Sequence, residues 1–258
     1  MFPPQKYNLL GVGMSRINLD SGTEAVFHAV KERRRGYVTV TGVHGVIEAQ
    51  DDPEFRRILN GSLMTTPDGM PTVWCGRAKG YHEMGRVYGP DLMWRVFGES
   101  AARGVRHFFY GGREGVADLL KQKLEDRFPG VQITGTYCPP FRPLNDKELA
   151  DLQQKVREAQ PDILWVGLST PKQERFMSEY FQKLDVTLMI GVGAAFDFHA
   201  GLVAQAPRWV QRSGLEWFYR LCTEPKRLWR RYLTIVPRFI WLLGCAGLRR
   251  LFHSNTDR

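Results

Sequence analysis

The sequence predicts an α/β fold: a doubly wound, mostly parallel, Rossmann-like sheet in residues 1–204, followed by a basic, aromatic-rich helical appendage in residues 205–258. Three observations predict it. Short β-branched or aromatic runs alternate with segments of helical periodicity as far as residue 200. Several of those runs are apolar almost throughout, as strands covered on both faces of a parallel sheet must be. After Gly201 the strand-like runs stop, and tryptophans and arginines take over.

In chain order, Ser21 precedes the helical pattern GTEAVFHAVKERRR, and YVTVT (37–41) reads as the first strand. Asp52-Pro53 opens EFRRILN, with a carboxylate to cap the first turn and a proline whose missing N–H costs nothing there. Pro90-Asp91 opens LMWRVFGESAARG. The remaining strands are VRHFFY (105–110), VQITGTY (131–137), DILWVGLS (162–169) and VTLMIGVG (186–193). REGVADLLKQKLEDRF and NDKELADLQQKVREA are the helices among them. The second starts at Asn145 with Glu148 three residues on, a capping box. The proline-rich YCPPFRP (137–143) is a loop. In the tail, Pro207, Pro225 and Pro237 each suit a first helical turn and divide it into three short helices.

With 43% hydrophobic and 24% charged residues, the 258-residue chain has the composition of an ordinary globular protein and can bury a core without staples. Its net charge of +9 is unevenly placed. Residues 205–258 hold eleven Lys or Arg against three acids, and 25 bases against 24 acids precede them. The body is neutral and the tail is basic. Cys75, Cys138, Cys222 and Cys245 stand far apart without a C-x-x-C pair, which argues against a zinc site or disulfide framework and suits a reducing cytoplasm. The N-terminal stretch lacks a signal-peptide pattern, and no run reaches the ~18 apolar residues of a spanning helix.

In open α/β sheets, ligands gather outside the carboxyl ends of the strands, and four such ends here carry polar residues. TTPDGMPTVW (65–74) puts Asp68 and Gly69 on a turn, where Asp68 reads as a general base or as an N-cap or Asx-turn aspartate. GVGAAFDF (191–198) begins like a dinucleotide fingerprint, but Phe196 occupies the third glycine and no acidic ribose partner follows ~20 residues on. Its glycines then serve close backbone approach, and Asp197 is a ligand contact or a buried, hydrogen-bonded acid. YGGREG (110–115) reads as a glycine turn feeding a helix. VGLSTPKQERF (166–176) places Ser169 and Thr170 before Pro171, with Lys172, Gln173 and Glu174 in the first turn, a set suited to a polar ligand. Arg86, in GRVYGPDL (85–92), is a surface arginine or, opposite a diphosphate, a leaving-group clamp. No D-x-D, H-E-x-x-H or Cys/His ligand spacing occurs, so no bound metal is expected. The hydrolase elbow and the P-loop are missing as well.

Taken in order, PDGMPTVW, RVYGPDL, YGG, VGLSTPKQERF, GVGAAFDFHAG and APRWVQRSGLEWFYRLCTEPKRLWRRY resemble the WecG/TagA/CpsF glycosyltransferases over about residues 7–240. The resemblance implies transfer of a hexose from a UDP-sugar to a polyprenyl-diphosphate-linked saccharide in cell-surface polysaccharide synthesis. The sugar would be of N-acetylmannosamine, mannosaminuronate or glucose type. It further implies inversion, no cofactor or essential metal, and a peripheral place on the cytoplasmic face of the bacterial inner membrane. By resemblance, Asp68 is the base that deprotonates the acceptor hydroxyl, with Gly69 beside it, and Arg86 steadies the departing diphosphate. Gln173 and Asp197 would line the nucleotide-sugar pocket. Thr41 matches the threonine of the family's T-x-N motif. His44 stands in the stretch where the asparagine is expected, and either substitutes as a donor or is simply packed. Gln205 replaces the basic residue usual before AP.

On a helix from Pro225 to Val236, Trp229, Tyr232, Leu233 and Val236 recur at helical spacing, with Arg227, Arg230 and Arg231 largely opposite. That pattern suits a helix lying in an anionic lipid interface, or one packed on the core with solvated arginines. Arg212, Arg220, Arg227 and Arg230 are the tail cations expected to reach the substrate. The expected partners are a UDP-sugar, the polyprenyl-diphosphate-linked acceptor and an anionic membrane surface met through residues 205–250; a homo-oligomer is compatible with the chain. Two rival readings are a nucleic-acid-binding protein, from the basic aromatic tail and a pI near 9.5, and an NAD-dependent nucleotide-sugar enzyme. The neutral body opposes the first, so no nucleic-acid partner is expected, and the incomplete glycine fingerprint opposes the second.

Overall fold

The computed structural model describes residues 2–140, 142–223 and 225–254; the side chains of residues 212, 220, 226–228, 230, 231 and 247–254 lie outside that description. The chain opens with a hairpin, β1 (Lys6–Leu9) and β2 (Val12–Ser15), followed by α1 (Leu19–Lys31) and β3 (Gly36–Thr41). Next come α2 (Val43–Asp51), α3 (Pro53–Gly61), β4 (Met64–Pro67), α4 (Met70–Arg77), α5 (Gly89–Arg103) and β5 (Arg106–Gly111). The second half runs through α6 (Val116–Arg127), β6 (Gln132–Tyr137), α7 (Asp146–Ala159), β7 (Ile163–Gly167), α8 (Lys172–Tyr180), β8 (Leu188–Gly191) and α9 (Ala195–His199). The tail holds α10 (Arg208–Arg212), α11 (Glu216–Thr223) and α12 (Pro225–Ser254).

Six strands make one parallel sheet in the order β4-β3-β8-β7-β5-β6. Successive strand residues point to opposite faces, so Phe108 and Leu164 enter one core layer while Phe109 and Trp165 enter the other. That is why these strands read as apolar throughout. Helices α1, α5, α6 and α9 cover the face of Phe109 and Trp165, and α7 and α8 cover that of Phe108 and Leu164. The registers bring Thr41 level with Pro67, Val166 with Gly191, and Gly111 with Gly167, so the strands end along one carboxyl edge.

The five expected strands are all present; the sixth, β4, is a short buried piece ending in Pro67. Asp52 and Asn145 cap their helices as expected, accepting from Phe55 N and Glu148 N, each at 2.9 Å. Two expectations need correction. Ser21 does not begin α1: Asn18 is the cap and accepts from Ser21 N, while Ser21 Oγ accepts from Asn18 N, so the serine serves as the third-position partner of a capping box. Nor does Pro237 begin a helix, because the tail is two short helices and one of 30 residues that runs through that proline. A proline lacks the N–H its helix would use and normally breaks it. Here Ile235, Phe239, Leu242 and Leu243, on both sides of Pro237, pack against the hairpin, α2 and α4 and hold the helix continuous.

Candidate active site

Strand pairing sets the position of Asp68. Past the end of β4, its backbone N donates to Thr41 O at 3.2 Å, across from the end of β3. The cap of α4 is Gly69, without a side-chain bond, so the Asp68 carboxylate is not the cap of that helix. A methyl group on Gly42 would stand 3.6 Å from Asp68 Oδ2, which puts the carboxylate directly over the β3 turn. Thr41, His44, Asp68, Thr170 and Glu174 line a small polar cavity of about 90 Å³ there.

Arg86 lies beside Asp68 and is not a free surface charge. Its Nε donates to Asp68 O at 2.8 Å and its guanidinium carbon sits 4.1 Å from the centroid of the Tyr88 ring. Nη1 donates to Gln211 Oε1 at 3.3 Å, and Nη2 is ion-paired with Glu216 of α11. The side chains of the pair are 13% and 17% exposed. Behind them, burial pushes the Asp91 carboxyl up, opposed by the nearby cations Arg86 and Arg208 and by His199, and reinforced by Glu216. Burial lowers the His199 imidazole, whose Nε2 lies 2.9 Å from Pro90 O. Cations and acids from the core and the tail thus meet at one place.

On the other side of the cavity, Gln173 is buried and ties two strand ends together. Its Oε1 accepts from Gly193 N at 3.0 Å and its Nε2 donates to Glu174 Oε1 at 3.1 Å. Gly191 is needed for this closeness, since a Cβ there would meet Gln173 Cδ at 3.0 Å and Met177 Cε at 2.8 Å. Asp197 on α9 lies 3.6 Å from Arg113 of the glycine turn after β5 and is partly exposed.

The structure therefore brings Thr41, His44, Asp68, Gly69 and Arg86 together, with Gln173 across the cavity and Asp197 further along the same edge. The side chains of Arg212, Arg220, Arg227 and Arg230 lie outside the described residues. Sequence reasoning placed Glu174 in a polar set suited to a ligand without giving it a role of its own, and did not single out Gln211 or Glu216. Glu216 left one signal, as one of only three acids in a strongly basic stretch. Among the described residues, no group of three His, Cys, Asp or Glu is placed to hold a metal ion.

A doubly wound parallel sheet with an acid, an arginine and a polar cavity on its carboxyl edge defines an α/β enzyme whose site is built for a polar, charged substrate. The chain belongs to the glycosyl transferase WecG/TagA/CpsF family, which matches residues 7–253. It is a glycosyltransferase. It is similar to an N-acetylglucosaminyldiphosphoundecaprenol N-acetyl-beta-D-mannosaminyltransferase of Bacillus subtilis strain 168, at 29% identity over 231 residues, 90% of this chain and 88% of that protein. A protein of the same name from Bacillus spizizenii strain W23 is 32% identical over 193 residues, 75% of this chain and 72% of that protein.

Proposed function

We propose that this glycosyltransferase moves an N-acetylmannosamine-type sugar from a UDP donor onto an N-acetylglucosamine carried by a polyprenyl diphosphate, in one inverting displacement without an essential metal. The observation that carries the reading is the juxtaposition of Asp68 with Arg86, locked by the bond from Arg86 Nε to Asp68 O. Asp68 takes the proton of the acceptor hydroxyl as its oxygen attacks the anomeric carbon. The bond from that carbon to the diphosphate oxygen breaks, its electron pair leaves with UDP, and Arg86 offers charge-assisted hydrogen bonds to the departing diphosphate. A guanidinium already held by Glu216 and stacked on Tyr88 is preorganised, so little reorganisation is required as charge develops.

The tail supports a lipid-borne acceptor. Among the described residues, no helix is long and apolar enough to cross a membrane. Yet Trp209 is 71% exposed, and Phe218, Trp229, Leu233, Ile240 and Trp241 are exposed as well. Apolar groups set among arginines favour a headgroup interface, which would seat the enzyme peripherally on the cytoplasmic face of the membrane.

A donor screen tests the reading: UDP-sugars are offered with a synthetic polyprenyl-diphosphate N-acetylglucosamine, and UDP release is followed. UDP-N-acetylmannosamine should give release that depends on the acceptor, and UDP-sugars, but not NAD, should raise the melting temperature. Absence of transfer from every UDP-sugar, or stabilisation by NAD alone, contradicts it.

A further inference from the structure

Glu174 has no part in the displacement described above, yet it is 1% exposed at the wall of the cavity beside Asp68. Its Oε1 accepts from Thr170 Oγ1 at 2.9 Å and from Gln173 Nε2 at 3.1 Å. Its Oε2 has no hydrogen-bond partner among the described residues, and neither does the buried Thr41 Oγ1 in the same wall. Buried polar atoms are almost always satisfied in folded proteins, and two unsatisfied ones bordering a single cavity mark a place where a ligand supplies the partner.

The state of the carboxyl follows from its surroundings. No ion pair to Glu174 occurs among the described residues. The titratable groups sharing its cavity are His44 of α2 and Asp68 after β4. On its own helix, Arg175 is turned to Asp52 and Glu54 at the start of α3. Burial pushes the Glu174 carboxyl up, only partly opposed by the bonds from Gln173 and Thr170 and by the dipole of its own backbone N–H. A neutral carboxyl carries one O–H. With Oε1 accepting twice, the proton falls to Oε2.

We propose that Glu174 and Thr41 form a recognition pocket for one polar substituent of the transferred sugar, Glu174 donating an O–H from Oε2 to an oxygen of that substituent. At about 90 Å³ the cavity suits a group such as acetamido or hydroxymethyl and not a hexose ring. Because Asp68 forms part of the same wall, a substituent seated there fixes the sugar next to the base. The pocket rests on the proposed sugar transfer.

The test compares the full chain with Glu174→Leu, Glu174→Gln and His44→Gln in the transfer assay, using UDP-N-acetylmannosamine and donor analogues that each lack one polar substituent. Glu174→Leu should raise the donor KM about tenfold, the factor of one lost hydrogen bond, with a smaller effect on kcat. Glu174→Gln keeps an N–H donor and should stay within about threefold of wild type at pH values below the Glu174 pKa. The wild-type donor KM should rise as pH climbs through the Glu174 pKa and the O–H is lost. Glu174→Gln should abolish that rise and His44→Gln should retain it. The Leu penalty should vanish for the one analogue that lacks the recognised group. The pocket is overturned by an unchanged KM in Glu174→Leu, an equal penalty for every donor analogue, or a pH-dependent rise that persists in Glu174→Gln. If Glu174→Leu does not fold, the Glu174→Gln pH profile decides alone. A wild-type enzyme that uses no UDP-sugar sinks the transfer reading itself, whereas a working wild type with a flat Glu174 series sinks only the pocket.

Discussion

At Arg86 a single guanidinium serves four neighbours: the Asp68 carbonyl, the Tyr88 ring, Gln211 and Glu216. Lysine cannot reproduce that planar fork, so Arg86→Lys should lose nearly as much as Arg86→Ala. Both should lower kcat by about 10²–10³, as removal of one preorganised donor does elsewhere. Steady-state UDP release with donor binding measured by calorimetry checks this; a kcat near normal in either variant removes Arg86 from the leaving-group role. A second prediction belongs to Glu174. Its raised pKa means that the folded chain binds more protons than the unfolded one between the ordinary glutamate value, about 4.3, and the raised value. The stability contributed by Glu174 should therefore be fully present below that window and be lost as pH rises through it. Urea midpoints should show this slope in the wild type and lose it in Glu174→Gln. Asp68 was legible in the sequence as a turn residue after a short apolar run. Arg86 does not follow a strand as expected but lies in the loop between α4 and α5, which folds back to the end of β4 through the bond from Val87 N to Pro67 O. Glu216 was not legible, since nothing local ties residue 86 to residue 216.

At the scale of elements, the strands and most caps could be read because period-two patterns and Asn or Asp caps are local chemistry. The hairpin β1–β2 could not. Its turn places Leu10 at φ +52° and Gly11 at φ +85°, a left-handed pair usually flagged by Asn-Gly or Asp-Gly. Strand β4 showed only by its polar end at Asp68 and not as a strand, being four residues long and ending in proline, which belongs at strand ends and sheet edges. Pro237 misled for the opposite reason: tertiary packing kept a helix that local chemistry would end. The glycine turn after β5 gives a sharp prediction. Gly111 has φ +112°, and a Cβ there would lie 2.7 Å from Gly167 O, backbone that cannot step aside. Gly111→Ala should cost at least about 1–3 kcal/mol from backbone strain alone, read as a lower urea midpoint with an unchanged slope. Gly104→Ala, where φ is +66° but nothing lies within 4 Å, should cost less. Equal losses at the two sites would rule out the Gly167 contact as the cause.

For the whole molecule, the division into a neutral body and a basic tail was visible from charge alone, and the structure adds how the tail is attached. Phe239 is buried among Tyr7, Met14, Val46 and Val73, and Arg238 pairs with Asp51 of α2. Sequence periodicity grouped Trp229, Tyr232, Leu233 and Val236 as one apolar face. In the folded chain a different set, Ile235, Phe239, Leu242 and Leu243, docks on the core, and Trp229, Leu233, Ile240 and Trp241 remain exposed. The full chain should co-sediment with anionic vesicles, weakly with neutral ones, and less as salt rises. Replacing Ile240 and Trp241 together by glutamate should reduce that binding strongly while leaving UDP-sugar binding in solution intact. Undiminished co-sedimentation of the double variant would show that another surface meets the lipid.

The role of Asp68 is tested by comparing wild type with Asp68→Asn in parallel, following UDP-sugar binding by calorimetry and transfer to the lipid-diphosphate acceptor by UDP release. If Asp68 is the base that activates the acceptor hydroxyl, the variant binds the donor with near wild-type affinity and turnover is abolished. Near-normal transfer by Asp68→Asn would rule out Asp68 as that base.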